Sequence, residues 1–332
     1  MPKPLGEWIH LLRGSSDIPK SIIFRVDAGR VRGLSFGHLE RCLILARAFK
    51  KLYNTKALFL MRPYKEGISY ARKKKQSVMA LPAKLDRAGE RERVVKAVKE
   101  SGSGLLIVDL PYNGLDTSYF GRLRREGVRV VFIDDSRFMS PEADVILNSS
   151  ILAPNNTKRT RRKVMRYLLG PEYLIHEKPK EARALRKKKA IVEVAITFGG
   201  SDPAGFTSKV VKALAKGNWP GVKFRIILGP GYAGLKPIKK LAKSGKNLFE
   251  VIQNPAEIAP ILTKSSMVIC AGGRTLYELY ALGVPALAIA SIEHEVPVIQ
   301  SFLKKRMLLS GLKAWNEGEF NKKFKACLRS IG

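Results

Sequence analysis

The sequence predicts an α/β protein of two doubly wound, Rossmann-like domains facing across a cleft, and three observations predict it. Short β-rich apolar runs alternate with amphipathic segments, the pattern of parallel sheets covered by helices on both faces. The 332 residues exceed the usual size of one domain, so two units of roughly 150 residues are the natural division. The alternation breaks once, at GPEYLIHEKPKEARALRKKK from Gly170, a charged stretch with two prolines and no strand pattern. The expected organisation is a first domain over 1–169, a linker with a short helix over 170–189, a second domain over 190–312 and a terminal helix over 313–332.

In the first half, the β-rich runs place strands at Ile22 to Asp27, Ala57 to Met61, Leu105 to Leu110, Val128 to Asp134 and Val145 to Asn148. The clearest helix is His38 to Tyr53, where Leu39, Cys42, Leu43, Ala46, Phe49 and Tyr53 share one face and pack on the sheet. In the second half, strands are expected at Ile191 to Phe198, Phe224 to Leu228, Phe249 to Ile252, Met267 to Cys270 and Ala286 to Ala290. Helices alternate with them near Thr207, Pro255, Thr275 and Pro297. Two such sheets suit a ligand held between domains.

Composition narrows the partners. The net charge of +33 raises polyanions: nucleic acid, an anionic membrane surface or a phosphorylated substrate. The basic runs Arg72 to Lys75, Arg159 to Lys163, Arg186 to Lys189 and Lys304 to Arg306 are scattered, without the interleaved aromatics that stack single-stranded bases. A solvated basic surface therefore outweighs nucleic-acid binding, and weak association with an anionic membrane surface stays open. No apolar run reaches the roughly 18 to 20 residues of a membrane span, and the N-terminus lacks a signal-peptide core, so a cytoplasmic protein is expected. Cys42, Cys270 and Cys327 lie far apart, with neither zinc spacing nor disulfide density, and no metal or cofactor is expected. His10, His176 and His294 have no metal-ligand spacing.

Three motifs carry chemistry. The first, FRVDAGRVRGLSFGHLERCLILA, runs from strand through a loop with Gly29, Gly33 and Gly37 to His38 at a helix start. Its glycines lack the dinucleotide G-x-G-x-x-G spacing, which argues against a nicotinamide dehydrogenase. At a helix N-terminus the partial positive charge disfavours imidazolium, so His38 is a candidate general base; the competing reading is a histidine that caps the helix or bonds a carbonyl. The second, TFGGSDPAGFT, carries Gly199, Gly200 and Ser201, whose small side chains let amides approach an anion, while Asp202 and Pro203 also suit an ordinary capped turn. The third, CAGGRTLYELYALGVPALAIA, is the most specific. There Gly272, Gly273 and Thr275 precede or open a helix whose amides suit a diphosphate, and Glu278, one turn on, suits a ribose or a solvated helix face. Asp109, the Asp134–Asp135 pair and Asn148 end apolar strands at the ligand-binding edge, where they orient hydroxyls or His38, or simply cap helices.

With these motifs, together with IVDLPYNGLD, FIDDS, ADVILN and GPEYL, the chain resembles the UDP-2,4-diacetamido-2,4,6-trideoxy-β-L-altropyranose hydrolases of pseudaminic acid biosynthesis and related spore-coat polysaccharide proteins. More distantly it is similar to the N-acetylglucosaminyltransferase that makes lipid II. The resemblance runs from about Ile22 to Gly311. It implies a GT-B-like fold and a metal-independent hydrolase, with His38 activating water and UDP leaving with inversion. It places Gly272, Gly273 and Thr275 at the diphosphate, Glu278 at the ribose and Ile252 at the uracil, with Gly199, Gly200 and Ser201 also on the nucleotide side. Asp27, Gly37, Asp109, Asn148 and Gln300 would face the sugar. Ser35 stands where a glycine is usual, His176 where an arginine is common, and SIEHEVPVIQ replaces an asparagine–glutamine pair. An inverting glycosyltransferase using the same UDP-sugar site, and a non-enzymatic nucleic-acid or nucleotide-sugar binding protein, are the competing readings.

Overall fold

The computed structural model describes residues 2–14, 20–29, 36–110, 117–134, 142–157, 166–176, 191–200, 202, 204–229, 231–243, 246–255 and 257–331. The chain divides into two compact units, Pro2–Glu177 and a second that spans Lys178–Gly332.

The first unit holds seven strands: β1 (Ser21–Val26), β2 (Lys56–Met61), β3 (Ser77–Ala80), β4 (Leu105–Asp109), β5 (Arg129–Ile133), β6 (Val145–Asn148) and β7 (Arg166–Leu169). They form one sheet in the order β3-β2-β1-β4-β5-β6-β7, and every neighbouring pair is parallel. Parallel pairing demands a crossover between neighbours, and helices cover both faces. Buried residues follow: Ile22, Ile23, Phe24 and Val26 of β1 are all fully buried, and Phe24 stacks on Phe59 of β2 at 5.0 Å. The helix Phe36–Tyr53 buries Leu39, Cys42, Leu43, Ala46 and Phe49 on this sheet, the face its periodicity assigns.

The second unit holds six strands: β8 (Val192–Thr197), β9 (Val222–Leu228), β10 (Leu248–Gln253), β11 (Met267–Ala271), β12 (Ala286–Ile289) and β13 (Ser310–Leu312). Their order is β10-β9-β8-β11-β12-β13, again all parallel. The C-terminal helix Glu317–Ile331 closes this core: Phe320 and Phe324 are fully buried, and Phe324 meets Trp219 edge-on at 4.9 Å.

Three strands escape the sequence pattern. β3, β7 and β13 are sheet edges only three or four residues long, and β3 is exposed or half-exposed throughout, so they carry no sustained apolar run. The residues after Gly170 form one 3₁₀ turn, Pro171–Tyr173, and Ile175 is buried in the first unit's core. The rest of the expected linker, 177–189, lies outside the described residues. Among the described residues, no helix is long and apolar enough to cross a membrane.

Candidate functional site

In both sheets the chain leaves the two central strands in opposite directions, β1 and β4 in the first, β8 and β11 in the second. That reversal opens a crevice at the carboxyl ends of the central pair, where open α/β sheets bind ligands.

At the first crevice, β1 leads toward the helix Phe36–Tyr53, and Gly37 and His38 sit in its first turn. His38 is 8% exposed, and its Nδ1 lies 2.7 Å from Oδ1 of Asp109, the last residue of β4 and fully buried. Arg41, one helical turn beyond His38, grips the same carboxylate with Nε to Oδ2 at 2.9 Å and Nη2 to Oδ1 at 2.8 Å. Arg41 Nη2 also lies 3.0 Å from His38 Nδ1. A carboxylate oxygen only accepts, so at 2.7 Å the short contact assigns the hydrogen to Nδ1, which donates it to Asp109. In a neutral imidazole that arrangement leaves the lone pair on Nε2, the geometry of a base oriented by a carboxylate. Cys42 lies beside Asp109, its Sγ 3.9 Å from Oδ2; burial, reinforced by Asp109, pushes its thiol up and keeps it a neutral neighbour.

Asp27 follows directly on Val26, the last residue of β1, and is already engaged. Arg25, on the same face of β1, binds both its oxygens at 2.6 and 2.9 Å, and the Arg62 amide donates to Oδ1 at 2.7 Å. Arg25 in turn donates to Glu90 at 2.8 Å, and Arg62 Nη2 donates to Glu90 at 2.7 Å. Burial alone would raise the Glu90 carboxyl, but the two guanidiniums outweigh it and hold it below its ordinary value. Asn148, fully buried at the end of β6, donates to Asp134 at 2.9 Å and accepts the Ser150 amide at 2.9 Å. Thus His38, Asp109 and Arg41 form one cluster, while Asp27 and Asn148 spend their polar atoms within the fold. Asp135 lies outside the described residues.

The second crevice is lined by backbone. Thr197 of β8 and Cys270 of β11 are in register, so Gly199–Gly200 and Gly272–Gly273 leave neighbouring strands at one level. Gly199 has φ +83, a left-handed conformation suited to glycine, and side-chain-sized space above both Gly199 and Gly200 is open. Asp202 does what capping requires: its oxygens accept the amides of Phe206 and Thr207 at 2.9 and 2.7 Å, at the start of the helix Phe206–Lys216. Ser201 lies outside the described residues. Gly273 caps the helix Arg274–Leu282, in which Thr275 is half-buried, and Glu278 is paired with Arg274 at 3.0 Å. Ile252 is half-buried on the outer strand β10, two strands from β8, and Gln300 is exposed on the helix Glu295–Lys304.

By sequence the chain is similar to uncharacterised protein MJ1062 of Methanocaldococcus jannaschii, 22% identical over 283 residues that cover 82% of this chain and 56% of that protein. It is equally similar to spore coat polysaccharide biosynthesis protein SpsG of Bacillus subtilis, 22% identical over 83% of this chain and 79% of that one. The chain thus spans little more than half the length of the archaeal relative. No family model matches. Among solved structures, Acinetobacter baumannii MurG superposes with a TM-score of 0.67 at 13% identity, over 94% of this chain and 92% of MurG. Anabaena HepE, solved in complex with UDP, gives 0.57 at 13% identity over 93% and 90%. A glycosyltransferase from Rickettsia africae gives 0.60 at 11% identity over 94% and 89%. The chain has the GT-B fold.

Within that fold, two residues at the crevices escaped the sequence motifs. Arg41 stands in GHLER three residues after His38, a spacing that puts both on one helix face, but an arginine in so basic a chain carries little signal. Glu295 is buried at 6% exposure, and its Oε2 accepts from the Gly272 amide at 3.2 Å, the Ser291 amide at 2.7 Å and the Ser291 hydroxyl at 2.8 Å. It ties the loop after β11 to the loop after β12. A Cβ on Gly272 would lie 2.8 Å from Glu295 Cβ and 3.0 Å from Ile299, which is why glycine stands there. SIEHEVPVIQ gives no hint that its second glutamate, rather than Gln300, faces this loop.

Proposed function

We propose that the protein is an enzyme acting on a UDP-linked sugar, and that water is the group that takes the sugar. The observation that carries this reading is the His38–Asp109 bond at the first crevice, which orients a lone pair at Nε2. In the proposed reaction, Nε2 removes a proton from water as its oxygen bonds to the anomeric carbon. The bond from that carbon to the diphosphate oxygen breaks, and UDP departs with the electron pair. Attack opposite the leaving group inverts the anomeric centre. Asp109 holds the imidazolium that forms, and Arg41 keeps Asp109 in place.

The nucleotide belongs to the second unit in this reading. Gly272, Gly273 and Thr275 present the start of the helix Arg274–Leu282 to the diphosphate, whose charge that helix end favours. Gly199 and Gly200, with Ser201 beside them, give open approach to the phosphates from β8. The Arg274–Glu278 pair then parts, freeing Glu278 for the ribose hydroxyls and Arg274 for the diphosphate, an exchange of one charge-assisted contact for two. Ile252 supports the uracil, and Gly37 and Gln300 flank the sugar. Asp27 and Asn148 shape the sugar side by fixing β1 and β6. The substrate we favour is the UDP-diacetamido-trideoxy sugar that the motifs imply, in nonulosonic acid synthesis. The likeness to SpsG and the glycosyltransferase neighbours equally supports transfer to a sugar or lipid acceptor, which differs only in what His38 deprotonates.

The test is UDP release with no acceptor present and with EDTA added. Release of UDP and free sugar together supports hydrolysis. Release only when an acceptor is supplied assigns the transferase reading, and absence of UDP binding refutes both.

A further inference from the structure

Two neighbouring helices of the second unit carry lysines along their exposed sides. The helix Phe206–Lys216 buries Val210, Val211 and Leu214 and exposes Lys209, Lys212 and Lys216, spaced three and four apart on the opposite face. The helix Leu235–Lys243 packs beside it, buries Ile238, and exposes Lys236, Lys239, Lys240 and Lys243 in the same spacing. Neither helix contains an acidic residue or an arginine. Among the described residues, only Lys216 of these lysines has a carboxylate partner, Glu317 at 2.7 Å. Between the helices and the C-terminal segment lies an open groove of about 470 Å³, floored by Ala215, Leu241 and Trp315 and rimmed by Lys209, Lys212, Lys216 and Glu317.

From this face we infer that the second unit docks on an anionic phospholipid surface. Lysines concentrated on one side, with no counter-charge on their own helices, repel one another unless an anionic partner is present. All of them are lysine, a hydrated point charge; recognition of nucleic acid draws on the planar fork of arginine, absent from both helices. Lysine stems lie along apolar surface while their ammonium groups reach outward, and a tryptophan in the floor suits the headgroup level, where an apolar body meets a wet rim. The two helices are amphipathic and already packed on their sheet, so the protein docks without unfolding or inserting a segment.

The test uses the full chain in co-sedimentation with vesicles of phosphatidylcholine alone or of equal parts phosphatidylcholine and phosphatidylglycerol. Binding is expected only to the second, weakening as salt rises. The triple reversal Lys212→Glu, Lys239→Glu, Lys243→Glu should reduce the partition coefficient about 10²-fold or more. Lys73→Glu with Lys75→Glu, reversals on the first unit, should change it by less than about threefold. The milder set Lys212→Gln, Lys239→Gln, Lys243→Gln removes charge without adding repulsion, and thermal unfolding of each variant verifies its fold. The inference is overturned if the wild type does not bind the anionic vesicles, binds both vesicle types equally, or loses as much affinity from the first-unit reversals. It is also overturned if single-stranded RNA displaces the protein from the vesicles at equal phosphate concentration.

Discussion

The two crevices share one strand order and have opposite chemistry. At the carboxyl ends of β1 and β4 the fold gathers polar and charged side chains: His38 on Asp109, Asp109 on Arg41, Asp27 on Arg25. At the ends of β8 and β11 it presents backbone, with Gly199 and Gly200 leaving room, Gly272 packed against Glu295 and Ile299, and Asp202 and Glu295 spent on holding loops. In the reaction proposed above, the first crevice would carry the chemistry and the second would hold the charged leaving group. A buried side-chain cluster orients one imidazole, whereas a helix start capped by glycine is the kind of backbone that can meet an anion.

The comparison breaks most visibly at His38. His38→Ala should lower kcat by about 10²–10⁴-fold, measured as UDP release, with Kd for UDP unchanged by calorimetry, because general-base catalysis contributes about that much. Next is Arg41→Met, which leaves the fully buried Asp109 without its main counter-charge. Removing one partner of such a pair costs about 3–5 kcal/mol, read as a lower urea midpoint with no change in m-value. At the other crevice, Gly272→Ala forces a methyl against Glu295 and Ile299, so both stability, by about 1–3 kcal/mol, and UDP affinity should fall while His38 stays intact. Glu278→Ala should weaken UDP binding by about 1.5–3 kcal/mol with little effect on the turnover of bound substrate, since it removes hydrogen bonds to a charged group away from the reacting carbon.

The smallest effect concerns pH. Glu90 is held below its ordinary 4.5 by Arg25 and Arg62, so its contribution is complete above that value and is lost as pH falls through the lower folded value. Stability of the wild type should therefore decline in acid more steeply than that of Glu90→Gln, whose side chain does not titrate. Parallel acid limbs of the two unfolding curves would remove the Arg25–Glu90–Arg62 network from the account.

Much of this was legible in the chain itself. The apolar runs of β1, β4, β8 and β11 are five or six residues long and mostly buried, so the central strands that position both crevices show up plainly, whereas β3, β7 and β13 are too short to leave a pattern. His38 was legible because a strand, a glycine loop and a helix start surround it. Its bond to Asp109, 71 residues away, follows from β1 pairing with β4, which no local spacing encodes. Asp27 and Asn148 have the right address at strand ends, yet an arginine two residues upstream and an aspartate on the neighbouring strand occupy their polar atoms. Glu295 was hidden for the converse reason: a charged residue in a charged stretch reads as solvated until the fold shows it buried against Gly272.

The most direct test of the central claim is a side-by-side measurement of UDP binding and acceptor-free UDP release from UDP-2,4-diacetamido-2,4,6-trideoxy-β-L-altropyranose by the wild type and His38→Ala. The account predicts equal UDP affinity in both, with UDP and free sugar released by the wild type alone. Equal release by the two proteins, or no UDP binding by either, would contradict it.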